Sequence, residues 1–373
     1  MTTKLLFSPH ALGGLELRNR AVMAPMTRCR ASNPDLAPDA LHADYYAQRA
    51  AAGLILSEGT PVSPQGRGYA FTPGIYSPAH IAGWKPVTDA VHARGGRIFA
   101  QIWHVGRISH SSLRPDRAPP VGASAIRLDD EVFAFNDQGR PAPMPCDTPR
   151  VLATAEVKAI VGDFAQAARN ATVAGFDGVE IHGANGYLFD QFRCPYLNQR
   201  TDEYGGSLQN RCRFLLQAAA AVAQAIGGDR IGVRLSPLGV AHQMQRDPEP
   251  MTTYPYLARE LGRIGVAYLH LYDQSATWIH DPHDPLLGAL RSAFPRTLIL
   301  CGGFDGDRAQ AALAAGSGDL IAFGKPFISN PDLVERLRSG APLAPWDART
   351  FYGGTAAGYT DYPALAAAEP VAE

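Results

Sequence analysis

The chain reads as an eight-fold α/β barrel, on three grounds. Short apolar runs alternate with longer amphipathic stretches along most of the 373 residues. Eight such strand–helix units fit into one chain, the repeat of a (β/α)₈ barrel. Glycines mark the returns from helix to strand, at Gly53, Gly95-Gly96, Gly175, Gly227-Gly228, Gly265, Gly316 and Gly318. A doubly wound sheet is the competing class, but no Gly-x-Gly-x-x-Gly fingerprint follows an early strand to favour it.

In chain order, buried strands are expected at 20–23, 54–57, 97–103, 178–182, 231–235, 267–271, 298–301 and 320–323. Helical periodicity falls at 40–52, 81–94, 154–174, 207–226, 252–264, 285–294, 306–315 and 331–338. Residues before Arg20 suit a short hairpin that turns at Gly13-Gly14 and closes the barrel floor. The stretch 109–150 is rich in Pro and Gly with little periodicity, so a long capping loop over the mouth is expected after strand three. One domain spans 1–363, and the Ala-rich 364–373 reads as a disordered tail.

Composition narrows the function. Hydrophobic residues make up 46% and the formal net charge is −1, so a substantial core is possible and no basic stripe calls for nucleic acid. No apolar run is long enough to span a membrane. Five cysteines without a Cys-x-x-Cys spacing argue against a secreted disulfide framework and point to the cytoplasm. Small-molecule chemistry by a monomer or homodimer is the expectation.

Reactive groups of such barrels gather where strands end. Strand four, Gly178-Val-Glu-Ile-His182, runs into Gly-Ala-Asn185-Gly-Tyr187. With period two, Glu180 and His182 share one face. His182 and Asn185 can hydrogen-bond one oxygen, with the Tyr187 phenol nearby as a proton donor. In strand five, Arg234 stands inside an apolar run, and an inward guanidinium needs an anionic partner. That partner is either an electron-rich ligand or Glu180. After strands seven and eight, Gly302-Gly303 and Gly324-Lys325 offer backbone N–H groups and a charge for a phosphate. His280, Asp281, His283 and Asp284 crowd one loop without a third convergent ligand, so no metal site is expected.

Long strings then carry a resemblance. They include Ala24-Pro-Met-Thr-Arg28, Gln101-Ile-Trp-His-Val-Gly-Arg107, Asn198-Gln-Arg-Thr-Asp-Glu-Tyr-Gly-Gly-Ser207 and Ile328-Ser-Asn-Pro-Asp-Leu-Val334. With Phe351-Tyr-Gly-Gly and Gly358-Tyr-Thr-Asp-Tyr-Pro363, they span nearly the whole chain. The sequence resembles the old yellow enzyme family of FMN-dependent ene-reductases, of the N-ethylmaleimide reductase and 12-oxophytodienoate reductase type.

That resemblance implies non-covalent FMN, with Pro25, Met26 and Thr27 flanking its ring and Gly59, Gln101 and Arg234 completing the ring contacts. Gly303, Gly324 and Lys325 would take the phosphate, although Arg is usual where Lys325 stands. His182 and Asn185 would bind a substrate oxygen, Tyr187 would protonate Cα, and Tyr69, Trp103 and Tyr352 would shape the pocket. The implied reaction is ping-pong. NADPH or NADH reduces the flavin, and an α,β-unsaturated carbonyl or nitro compound then takes a hydride at Cβ and a proton at Cα. The alternatives are a flavin-dependent isomerase, a nitro- or nitrate-ester reductase on the same scaffold, and a barrel lyase that places its substrate at the phosphate corner.

Overall fold

The computed structural model describes residues 4–365. Eight strands form the barrel: β1 Ala21–Met23, β2 Leu54–Leu56, β3 Ile98–Trp103, β4 Gly178–His182, β5 Ile231–Leu235, β6 Tyr268–Tyr272, β7 Thr297–Cys301 and β8 Leu320–Phe323. All pair in parallel with their neighbours, and the β8–β1 pairing closes the ring. The helices between them are α1 Ala40–Gln48, α2 Pro78–Ala93, α3 Thr154–Val173, α4 Leu208–Ile226, α5 Pro250–Ile264, α6 Pro285–Ala293, α7 Gly306–Ala314 and α8 Leu333–Ser339. Predicted strand ends hold to within a residue. Helix α2 begins earlier than the periodicity indicates, because Ser77 caps it and Pro78 fills its first position.

Strand alternation divides the core in two. Val179, Ile181, Val233, Leu235, Leu269, Leu271, Leu298 and Leu300 face outward and pack under the helices. Val22, Leu54, Leu56, Phe99, Tyr268, Ile299 and Leu320 fill the interior together with Leu12 and Leu17. Those two leucines come from the N-terminal hairpin, His10–Leu12 paired with Leu15–Leu17, which turns at Gly13-Gly14 and plugs the floor as expected.

The stretch after β3 is more structured than a loop. It contains an antiparallel hairpin, Glu131–Phe135 against Pro141–Pro145, and a parallel pairing of Val121–Gly122 with Arg150–Val151. Val132 and Ala134 of the hairpin bury against Trp103, Val105, Ile108 and Tyr187, so it is fastened to the barrel mouth. Of the expected tail, the Leu365 N–H donates to Asp332 at 2.6 Å, and residues 366–373 lie outside the described residues. Among the described residues no helix is long and apolar enough to cross a membrane, and no group of three His, Cys, Asp or Glu side chains converges.

Candidate active site

A cavity of about 600 Å³ opens at the C-terminal end of the strands. Ten residues singled out from the sequence lie in its wall: Pro25, Met26, Thr27, Tyr69, Asn185, Tyr187, Arg234, Gly324, Lys325 and Tyr352. Gly59, Gln101, Trp103 and His182 are buried and form no part of that wall, while Gly303 is exposed beyond the end of β7. Three of the buried four nevertheless support it. A side chain at Gly59 would come within 2.7 Å of the Trp103 indole, which stacks at 5.9 Å on both Tyr69 and His182.

The turn after β4 is built to present Asn185. Its φ of 59° is left-handed, a conformation Asn tolerates better than most residues. The backbone is held from both sides, since Asn185 N–H donates to Ser236 Oγ at 2.8 Å and Asn185 C=O meets His242 Nδ1 at 2.8 Å. The Asn185 carboxamide is left with no partner among the described residues, and its Oδ1 is buried. His182 Nδ1 accepts from the Ala184 N–H at 3.3 Å, so the neutral ring carries its proton on Nε2. Burial and then the charge of Arg234 push His182 well below the usual imidazole value and keep it neutral.

Tyr187 meets His182 edge-on at 4.8 Å between ring centres, and its hydroxyl lies 3.1 Å from that of Tyr69. Burial raises the Tyr187 phenol above its ordinary range, and the Tyr69 hydrogen bond works in the opposite direction. The group is therefore a protonated phenol at neutral pH, with a second hydroxyl placed to stabilise its oxygen.

Below the cavity lies a charge cluster that the sequence leaves ambiguous. Register sets Glu180 beside Gln101 and Gly232, and His182 beside Arg234. Glu180 receives Gln101 Nε2 at 2.7 Å, Tyr268 Oη at 3.1 Å and His270 Nδ1 at 2.9 Å. Tyr268 reaches it by crossing Gly232, where a Cβ would fall 1.9 Å from the ring. Burial opposes charge on both Glu180 and His270, yet their attraction holds the carboxyl low and the imidazole raised. The Arg234–Glu180 pairing weighed from the sequence therefore does not form. Arg234 instead stacks over Tyr272 at 4.7 Å and approaches Cys301 Sγ at 3.9 Å, with its Nε unpartnered. Among the described residues no carboxylate pairs with it.

The rim is closed by the segment after α8. Arg28 donates to the carbonyls of Phe351 (2.9 Å) and Gly358 (2.8 Å), and Arg30 to those of Thr350 (2.9 Å) and Thr355 (3.0 Å). These bonds lay Phe351 and Tyr352 along the cavity. In the same cavity, Gly324 borders open space, the nearest atom to a Cβ there being Met26 Sδ at 3.9 Å. Lys325 has no carboxylate partner among the described residues and sits 5.7 Å over Trp346. Sequence reasoning did not single out His242, Tyr272 or Cys301 as site residues, although all three line the cavity.

An unpaired interior cation, an open glycine corner with a lysine, and the apolar lining residues Pro25 and Met26 fit a planar, anionic cofactor with a phosphate tail. Fold and site thus define a barrel flavoenzyme. The sequence matches the model of the NADH:flavin oxidoreductase / NADH oxidase family over residues 5–344. It is 42% identical over 365 residues to 12-oxophytodienoate reductase 2 of Arabidopsis thaliana, with 96% of each chain covered. It is 43% identical to a chanoclavine-I aldehyde reductase of Penicillium roqueforti, covering 96% of this chain and 95% of that one. Morphinone reductase in complex with tetrahydroNAD superposes with a TM-score of 0.92 at 48% identity, over 97% of this chain and 98% of that one. An old yellow enzyme homologue from Zymomonas mobilis gives 0.90 at 40% identity, over 96% and 99%. The chain belongs to the old yellow enzyme family and is an FMN-dependent NAD(P)H oxidoreductase.

Proposed function

We propose that the enzyme reduces the activated C=C bond of α,β-unsaturated carbonyl or nitro compounds, with His182 and Asn185 binding the substrate oxygen and Tyr187 protonating Cα. The observation that carries this reading is the turn after β4. It offers a neutral imidazole with Nε2–H, a carboxamide without a partner among the described residues and a protonated phenol within one short segment. FMN, when bound, supplies the hydride that it has taken from the nicotinamide.

In this reading, Pro25, Met26 and Thr27 hold the ring system. Gln101 Nε2 is occupied by Glu180, which leaves its Oε1 to accept from the pyrimidine edge. Arg234 neutralises the anionic edge, a role supported by the lack of any carboxylate on its guanidinium. Gly303, Gly324 and Lys325 receive the phosphate, Lys325 as a point charge rather than a two-pronged fork. Gly59 leaves room for Trp103, and with Tyr69 and Tyr352 that indole shapes the substrate space.

Two donors on one oxygen stabilise the negative charge that grows there as the double bond is reduced, and losing one such donor typically costs about 10²–10³ in rate. Tyr187 gives up its proton as that charge collapses onto Cα, and Tyr69 donates to the oxygen left behind. The test is steady-state turnover of NADPH with 2-cyclohexenone, a maleimide and a nitroalkene. Saturated products support the reading, and failure to reduce any of the three removes it.

A further inference from the structure

One wall of the cavity supplies no group to the reacting atoms in that reading. After β5 the chain passes through three non-glycine residues with positive φ: Leu238 (61°), His242 (53°) and Gln243 (56°). Such backbone is unfavourable for residues with a Cβ and persists only when its surroundings hold it. Here Arg107 Nη2 donates to His242 C=O at 3.1 Å. Gln243 exchanges two hydrogen bonds with the backbone of Asp129, at 2.7 and 3.3 Å. The loop is thereby tied to the capping segment, and the His242 imidazole lines the cavity with its centre 5.3 Å from that of Tyr187.

The tautomer of His242 follows from its partner. Nδ1 lies 2.8 Å from Asn185 C=O, and a carbonyl can only accept, so Nδ1 carries the proton. In the neutral ring Nε2 is then a bare acceptor, and it has no partner among the described residues. Burial moves the imidazole below its usual value, which favours the neutral form at pH 7. Glu131 also lines the cavity. The bare Nε2 of His242 is thus an acceptor with no partner among the described residues, at a residue that lines the cavity.

We infer that His242 is a specificity-determining residue that selects substrates bearing a hydroxyl or N–H donor in addition to the activated double bond. The inference rests on the enone reading above and names the substrate class within it. A site built to receive a hydrogen bond rejects the analogue that cannot supply one, because its own polar group is left unpaired.

The test compares kcat/KM of the holoenzyme for ring-hydroxylated 2-cyclohexenones with the corresponding methyl ethers, the hydroxyl being placed in turn at each saturated ring carbon. For at least one position the wild type favours the hydroxyl compound by about 10-fold. His242→Phe brings that ratio to about 1, and His242→Gln, whose Oε1 still accepts, retains part of it. A wild-type ratio near 1 at every position overturns the inference whether or not either variant folds. So does a ratio that His242→Phe leaves unchanged. Wild-type enzyme that reduces none of these compounds overturns instead the enone reading on which the inference stands.

Discussion

The hydroxyls of Tyr69 and Tyr187 face each other at 3.1 Å across the cavity wall. Tyr187 is the proton donor in the proposed reaction, and Tyr69 is its only hydrogen-bond partner among the described side chains. Tyr187→Phe should leave reduction of the flavin by NADPH at its wild-type rate and slow reoxidation by an enone by about 10²–10⁴. Tyr69→Phe should slow the same half-reaction by about 10-fold, the scale of one hydrogen bond. Stopped-flow absorbance of the two half-reactions separates these outcomes. Equal slowing of both halves by Tyr187→Phe would count against a proton-donor role.

Arg234 without a carboxylate predicts a cofactor effect. Arg234→Met should weaken FMN binding to the apoprotein by about 10- to 100-fold, the range of a charge-assisted hydrogen bond. Arg234→Lys should restore part of it. Fluorescence titration with FMN measures both, and an unchanged Kd in Arg234→Met would remove the guanidinium from the cofactor site.

Gly232 is the gap through which Tyr268 reaches Glu180. A Cβ at this position would overlap the phenol ring at 1.9 Å, so Gly232→Ala must displace Tyr268 or the strand. Overpacking of this kind costs about 1–3 kcal/mol. A lowered midpoint in chemical denaturation is expected, and wild-type stability would show that the interior can rearrange at no cost.

Acid should destabilise the fold through its buried histidines. Burial lowers His104 to about 3, and it also lowers His182, His80, His10 and His242. A histidine with a depressed folded value binds fewer protons folded than unfolded, so stability falls as pH drops below about 6.5. For His104 alone the loss between pH 6.5 and pH 5 is about 1–2 kcal/mol. His270, raised by Glu180, acts in the opposite direction: its contribution is present at low pH and fades as pH rises through its folded value. Denaturation midpoints at pH 7 and pH 5 check the net sign, and lower stability at pH 5 is the expected result of the five lowered histidines.

Much of this was legible in the sequence because it depends on local periodicity. Alternation along 178–182 and 231–235 puts Glu180, His182 and Arg234 on the inner face, as found. What alternation cannot supply is the pairing across strands. Glu180 is taken by His270 and Tyr268 from β6, two strands away, because Gly232 leaves a gap at that level. The hairpin 131–145 was hidden by Pro141, Pro143 and Pro145, which normally argue against a strand. They are tolerated in a two-stranded ribbon whose partner supplies the alternation Glu131-Val-Phe-Ala-Phe135. His242 lies in a loop without periodicity, and only the folded turn brings it beside Asn185.

The oxygen clamp is tested most directly by rapid mixing of the His182→Ala/Asn185→Ala double variant, reduced beforehand with NADPH, against 2-cyclohexenone. The variant should bind FMN and accept electrons from NADPH as the wild type does, while reoxidation by the enone slows by at least about 10². Reoxidation at the wild-type rate would contradict the assignment of these two side chains to the substrate oxygen.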